Sequence, residues 1–407
     1  MTIDVRPVRT EEEWRQHAFI AAYAFNGDRG DEARERKSAY YQWDWTLAAF
    51  DAGEMAAGLV IVPFEQYING ARIPVGGIAS VSCLPERRRG GYVSALLRQS
   101  LATMRDAGQP LSMLGTPHFS LYRKYGYEIA GRQISYVFPP KTAKLRLPAP
   151  RGSYRRVTAD DWQTLDALHA AHYSSRNGAF ARSEARWRTQ IFHALGQPHD
   201  AVVWTNTAGE PRGYAVYRTT NRPSPTLPWG ETTLRVEDWV ALDAEAYAAV
   251  LQYLLNHDLV HQIVLLASPD EPLADAFDEP FHIKEPPGAW LGHMLRLVDV
   301  PRALEARPAL PQASGYAVTI ALTDESAPWN AGTWRIECVA GRISAERTNT
   351  APELEMDVRA LAPIYNGFTK PVDAVRVGMV RVHNPTGVAA ATQIFATSFT
   401  PYCPDDF

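Results

Sequence analysis

Apolar and polar positions alternate along this chain in two periods, near two and near 3.6 residues, and the switches between them mark its elements. Val5-Arg6-Pro7-Val8 reads as a short strand. Thr10 precedes Glu11-Glu12-Glu13, with Glu13 placed to close a capping box on Thr10. Trp14, Ala18, Ala21, Ala22 and Phe25 then recur at helical spacing, and residues 31–45 read as a second helix. A strand follows over 56–64. Asn69-Gly70 is a two-residue hairpin signal leading into 71–75 and an apolar run over 77–84. A helix over 94–106, a strand over Leu111–Leu114, a helical turn over 120–124 and a strand over 133–138 complete this stretch. Pro139-Pro140 and the basic, proline-bearing segment to Pro150 read as a linker.

The pattern then starts again. Tyr154-Arg155-Arg156-Val157-Thr158-Ala159-Asp160-Asp161-Trp162 echoes residues 5–14: a strand, a threonine cap, acidic first-turn residues and a tryptophan. Strands over 201–205, 213–219 and 233–242, a helix over 244–256 and an apolar strand over 261–267 follow in the same order, so residues 151–300 read as a divergent duplicate of 1–140. From Pro308 to Phe407 the pattern differs. Strands over 316–322, 332–339 and 341–347 precede helices over 357–365 and 371–378, an α+β arrangement.

Composition narrows the classes. A chain of 407 residues exceeds one ordinary core, in keeping with two or three domains. A net charge of −4 provides no global basic field for nucleic acid. Three scattered cysteines, Cys83, Cys338 and Cys403, support neither a disulfide framework nor a zinc site and point to a reducing cytoplasm. The 11 histidines show no metal-ligand spacing, so no metal is expected. The N-terminus lacks a signal-peptide apolar core, and no apolar run approaches the ~20 residues that span a membrane.

Between the apolar run over 77–84 and the helix over 94–106 lies Pro85-Glu86-Arg87-Arg88-Arg89-Gly90-Gly91-Tyr92-Val93. Glycines let the backbone approach an anion, the following helix presents free N–H groups and a positive dipole end, and Arg88 and Arg89 can add charge-assisted hydrogen bonds. The unit suits a phosphorylated cofactor; taken alone it fits a solvated Arg-rich turn equally well. The duplicate has Ala241-Leu242-Asp243-Ala244-Glu245 there, without glycine or arginine, so the second copy is expected not to bind the cofactor.

The spacing Arg88-x-x-Gly91-x-Val93 resembles the pyrophosphate loop of the GNAT acetyltransferases, with Val93 in place of a final small residue. Three further segments extend the likeness: Leu121-Tyr122-Arg123-Lys124-Tyr125-Gly126-Tyr127, Trp290 to Pro301, and the end from Phe395 to Phe407. With these four in order, the whole chain resembles the enhanced intracellular survival family of acetyltransferases. The resemblance implies two tandem GNAT folds, of α/β class, plus a C-terminal sterol-carrier-protein-like α+β domain. It implies domains at 1–140 (catalytic), 151–300 (degenerate) and 308–407.

The implied activity is N-acetylation of a small-molecule amine, polyamine- or aminoglycoside-like, by acetyl-CoA in a ternary complex. The implied cofactor contacts are Val81, Ser82, Cys83, Arg88, Arg89, Gly90, Gly91 and Tyr92. Tyr127 is the implied general acid, a phenol protonated at neutral pH, and the carboxylate of Phe407 the implied base. Phe25, Asp28 and Trp43, with Asp31, Asp44 and Trp45 beside them, lie where the family builds its acceptor pocket. His118 is a candidate relay, and Tyr122 and Tyr125 fit the core. Relatives form homo-oligomers, commonly hexamers. The alternative is a small-molecule or lipid-binding protein that uses the third domain and keeps a vestigial GNAT fold.

Overall fold

Thr10 follows the first strand, β1 (Asp4–Pro7), and accepts the Glu13 N–H at 3.2 Å, so helix α1 (Glu11–Ala24) starts where the sequence predicts. The Glu13 carboxylate does not close the expected box on Thr10. It takes the Arg9 N–H at 2.8 Å and the Arg6 guanidinium at 2.7 Å, because the chain reverses there and brings β1 alongside α1. In the duplicate the box is complete, Thr158 N–H donating to Asp161 at 3.0 Å. A computed structural model describes the chain except residues 1–2, 31–40, 194–197, 226–227, 229 and 287–291. The predicted helix over 31–45 therefore falls largely outside the described residues; its end, Trp43–Trp45, is a single 3-10 turn.

Strands β2 (Thr46–Asp51), β3 (Glu54–Ile68) and β4 (Ala71–Cys83) form an antiparallel meander, the Asn69-Gly70 turn joining the last two as the sequence predicts. Helix α2 (Tyr92–Asp106) crosses over to β5 (Leu111–Leu114), parallel to β4. Helix α3 (Phe119–Arg123) and β6 (Glu128–Ile129) follow. The next strand, β7 (Ile134–Phe138), leaves this sheet and pairs with the second one.

The second sheet holds β8 (Gly152–Val157), β10 (Asp200–Asn206), β11 (Pro211–Arg222), β12 (Glu231–Ala241) and β13 (Gln262–Ala267), in the order β7-β13-β12-β11-β10-β8. Helix α4 (Trp162–Tyr173) lies between β8 and a two-residue strand, β9 (Phe180–Ala181), which pairs with β3 of the first sheet. Helix α5 (Ala244–Leu255) joins β12 to β13. Strand β14 (Met294–Leu297) then returns to the first sheet, lying between β5 and β6.

Each of the first two sheets thus takes in one strand from the other's half of the chain. Residues 134–138, within the expected range 1–140, belong to the second sheet, and 294–297, within 151–300, belong to the first. Periodicity shows that a segment is a strand but not which edge it joins. β7 buries Ile134, Tyr136 and Phe138 in the second core, and β14, flanked on both sides, is buried at every position.

The third sheet, β17-β16-β15-β18-β19, comprises β15 (Ala317–Thr323), β16 (Gly332–Val339), β17 (Arg342–Arg347), β18 (Leu354–Asp357) and β19 (Val380–Val382). Its apolar face shares one core with the first sheet: Ile73, Val75, Leu111 and Leu297 pack into the cluster that holds Val318, Ile336 and Leu361. The two bodies are welded by apolar burial, and that fixes where the chain end can reach.

Candidate active site

β4 and β5 pair over only three positions, Val75↔Leu111, Gly76↔Ser112 and Gly77↔Met113. β4 continues to Cys83 bonded to β3 alone. Ser80, at φ 52°, starts a bulge in which Ser80 and Val81 face the single residue Leu59. The bulge bends β4 away from β5, and the backbone from Ile78 to Cys83 keeps an edge without a strand partner among the described residues. Val81 is half-buried there. The Ser82 Oγ is buried with no hydrogen-bond partner among the described residues, an orphan donor beside the open edge. Burial raises the Cys83 thiol above its ordinary value, so it stays a thiol and packs.

The loop after β4 is held from below. Arg87 bonds Asp51 at 2.8 Å and Glu54 at 2.7 Å, and the buried Tyr92 ring donates its hydroxyl to Asp51 at 2.8 Å. Arg87 is therefore structural, and Tyr92 can offer a ligand only its N–H. Arg88 and Arg89 are exposed and engage no ion pair among the described residues. Gly91 sits at φ 88°, the left-handed region that favours glycine, and as N-cap of α2 supplies no side chain. The first backbone bond of α2 runs from the Ala95 N–H to the Gly91 carbonyl, leaving the earlier N–H groups to an outside acceptor. An orphaned serine, an open strand edge, an uncapped helix start and two free guanidinium groups fit a ligand with an amide-bearing arm and a diphosphate.

In the second copy the same place is closed. Asp243 accepts the Ala246 N–H at 2.8 Å and binds Arg212 at 2.9 Å, so the helix start carries its own carboxylate.

Tyr127 is fully buried, its ring edge-on to Tyr122 at 6.2 Å. Its hydroxyl lies 2.8 Å from Ser112 Oγ, which donates to the Gly76 carbonyl at 2.8 Å. With the serine proton committed to Gly76, the phenol is the donor to Ser112. Burial pushes the phenol well above the usual tyrosine range, the Ser112 bond and the Arg296 charge opposing it, so it carries its proton throughout the neutral range.

The chain end arrives at the neighbouring residue on β4. The Phe407 ring meets Phe64 edge-on at 5.0 Å, tilts against Phe180 at 5.6 Å and stacks on His293 at 5.5 Å. Gly77 makes this approach possible, since a Cβ there would lie 2.8 Å from the Phe407 ring and 2.5 Å from that of Phe64. Burial holds the His293 imidazole below its ordinary pKa, with Asp406 and Asp405 opposing, so the stacked ring is neutral at neutral pH. Tyr127, through Ser112, and Phe407 thus converge on Gly76 and Gly77, where β4 and β5 part.

The family models agree with this architecture. The model described as Acetyltransferase (GNAT) domain matches residues 4–130 and a second so described matches 178–297, while a Sterol carrier protein domain matches 300–404. An uncharacterized N-acetyltransferase of Streptomyces avermitilis is 27% identical over 100% of both chains. N-acetyltransferase Eis of Mycobacterium tuberculosis is 23% identical over 88% of each. The crystal structure of Eis1 from Mycobacterium abscessus superposes with a TM-score of 0.83 at 26% identity, covering 100% of both chains. The chain is thus a GNAT acetyltransferase, similar over most of its length to the proteins named Eis. It is an acetyltransferase, with two GNAT domains and a sterol-carrier-like third. GNAT acetyltransferases use acetyl-CoA.

Not every expected acceptor residue of this acetyltransferase lies beside the chain end. Phe25 is 63% exposed at the end of α1, and Trp43 is 45% exposed. Asp28 turns back to the Gly30 N–H at 2.8 Å and lines a surface crevice with Arg15, Phe19 and Arg29. Asp31 lies outside the described residues. Trp45 and Tyr41 instead pack with Phe64 and Phe407 against Val60, Val62 and Ala79. His118 is exposed at the start of α3. No group of three or more His, Cys, Asp or Glu side chains suited to a metal occurs among the described residues, and no described helix is long and apolar enough to cross a membrane.

Sequence reasoning missed Ser112, Ser80, Phe64, Phe180 and His293, and a pair of arginines in the second domain. Arg182 and Arg186 bind Asp405 at 2.8 and 3.1 Å. A lone arginine in a duplicate that lacks the loop carries no local signal. The buried acid it serves lies 223 residues on.

Proposed function

We propose that this chain transfers the acetyl group of acetyl-CoA to a primary amine by direct attack in a ternary complex, with Tyr127 as general acid and the Phe407 carboxylate as base. The convergence of these two residues on Gly76 and Gly77 carries the reading. Arg88, Arg89 and the first N–H groups of α2, with Gly90 and Gly91 allowing close approach, would hold the diphosphate. The open edge of β4 through Val81, Ser82 and Cys83 would pair with the pantetheine amides. Bound acetyl-CoA supplies the thioester, whose C–S bond breaks as the N–C bond of the amide forms. Tyr127 would turn its phenolic O–H from Ser112 to the leaving sulfur and give it that proton. Ser112 can then turn its O–H from Gly76 to the phenolate oxygen. The Phe407 carboxylate, a weak base with a reference pKa near ~3.5, accepts the amine proton through water as the N–C bond forms.

A cationic acceptor fits the charge near the chain end. The Asp406 side chain is 96% exposed beside the Phe407 carboxylate, and Trp45, Tyr41 and Phe64 line the approach with aromatic faces. Polyamine- or aminoglycoside-like amines are the proposed class. The acceptor role of Phe25, Asp28 and Trp43 rests on the family resemblance, and so does a homo-oligomeric, hexameric state. The apolar face of the third domain is occupied by the core it shares with the first sheet, which argues against the lipid-binding alternative. The test is a thiol-release screen of acetyl-CoA over mono- and polyamines with wild-type protein and Tyr127→Phe. Turnover confined to wild type, with equal acetyl-CoA affinity in both, is the expected result. Wild-type turnover in Tyr127→Phe would return that tyrosine to the core.

A further inference from the structure

The second GNAT domain lacks the phosphate loop, yet it grips the end of the chain. Arg182 follows β9, and Arg186 lies one turn later. Arg182 donates to Asp238 of β12 and, at 2.8 Å, to Asp405. Arg186 Nε donates to Asp405 at 3.1 Å, and another of its nitrogens to the Asp406 carbonyl at 2.8 Å. Asp405 also accepts the Phe180 N–H at 3.2 Å, and Tyr214 donates to Asp238 at 2.7 Å. Both arginines and both aspartates are buried, two charges of each sign. Arg182 lies over Trp187 at 4.6 Å and Arg186 over Phe64 at 5.3 Å.

A buried ion group is a poor source of net stability, because desolvation consumes most of its Coulomb gain, but it enforces register. Here the register matters at one residue. The last bond of the group ends on the Asp406 carbonyl, and Phe407, one residue further on, is held by the rings of Phe64, Phe180 and His293. Sliding the tail by one position would strip Asp405 of both guanidinium groups and withdraw the ring from Gly77. Burial alone would raise the Asp405 carboxyl, but Arg182 and Arg186 outweigh it and hold it well below the usual carboxylate range, so the clamp is charged at neutral pH.

We propose that Arg182 and Arg186 are positioning residues for catalysis, and that the second GNAT domain serves as the socket that sets the Phe407 carboxylate at the mouth of the first domain's active site. This rests on reading Phe407 as the base. The arginines touch neither acceptor nor cofactor in this assignment; they act through Asp405 and the Asp406 carbonyl.

The experiment uses the full chain with Arg186→Met, Arg182→Met and, where an arginine variant fails to fold, Asp405→Asn, which leaves the second domain intact. Two quantities are read: release of Phe407 by carboxypeptidase A, followed by mass, and kcat against KM for acetyl-CoA. Phe407 release should quicken at least tenfold. The kcat should fall by about 10²-fold, the scale of a misplaced catalytic group, with the KM for acetyl-CoA unchanged. Deleting Phe407 in the Arg186→Met background should then slow turnover little further. Release as slow as in wild type overturns the socket. Faster release with wild-type kcat overturns the positioning role if deleting Phe407 from wild type does lower kcat. If that deletion leaves kcat intact, the base assignment fails, while faster release still supports the socket.

Discussion

Replacing Gly77 by alanine tests the approach of the chain end to β4 with one methyl group. The added carbon would lie 2.5 Å from Phe64 Cε2 and 2.8 Å from Phe407 Cε2, where carbon–carbon contacts prefer about 3.5–4.0 Å. Something must move by roughly 1 Å. Phe64 has little room, being stacked on Phe180 at 4.4 Å and 12°. Phe407, which meets Phe64 and Phe180 at the longer 5.0 and 5.6 Å, is the ring that gives way, and the proposed base goes with it. Overpacking of this kind costs about 1–3 kcal/mol of stability. A shift of roughly 1 Å at a catalytic group costs on the order of 10²-fold in rate. Gly77→Ala should therefore keep its fold at a lowered Tm, keep acetyl-CoA affinity by calorimetry, and lose about 10²-fold in kcat in the thiol-release assay. Adding Phe64→Leu removes ring atoms from the crowded side and should return part of the rate. Wild-type Tm and kcat in Gly77→Ala would refute the packing argument, and wild-type kcat with a lowered Tm would refute the link between the Phe407 position and turnover.

Arg88→Ala with Arg89→Ala should weaken acetyl-CoA binding by about 1–3 kcal/mol for each guanidinium–phosphate bond removed, read by calorimetry, while Arg212→Ala at the equivalent end of the second domain leaves it unchanged. A C-terminal tag places a neutral peptide bond after Phe407 and should cut turnover by about 10²–10⁴-fold, the range for a lost general base, whereas an N-terminal tag does not; equal turnover in folded proteins would remove the base. The folded-state pKa of Asp405 lies below its unfolded value near ~3.9, so its share of stability is complete above that value and is lost only as pH falls through the depressed one. Protection of Phe407 from carboxypeptidase-type trimming, read by mass, should hence be the same at pH 5 and pH 7, and loss by pH 5 would show that the clamp is not charged as described.

The parts of this enzyme with local causes were legible in its sequence. Glycine and arginine between a strand and a helix mark the turn at residues 85–91 and the helix start after it, and Thr10 and Thr158 mark helix starts because capping is decided within four residues. What escaped reading depends on partners far along the chain. β7 and β14 look alike as apolar strands, and only the three-dimensional edge of each sheet decides which joins which. Arg182 becomes informative only when Asp405 folds back on it. Trp45 rather than Trp43 packs with Phe64 and Phe407, and that cluster exists only once the chain end has folded back on β3.

The strand exchange sets a clock on synthesis. β5 has its antiparallel neighbour only once β14 exists, and roughly 180 residues separate Leu114 from Met294. At about 5–20 residues per second, the ribosome leaves that edge bare for on the order of 10–35 s, far longer than local strands and helices need to form. Through that interval the nascent first sheet offers an unpaired strand to any extended peptide nearby. An actively translated cell would have to shelter it, and slowing elongation between residues 138 and 294 should raise the aggregated fraction more than slowing it after residue 300.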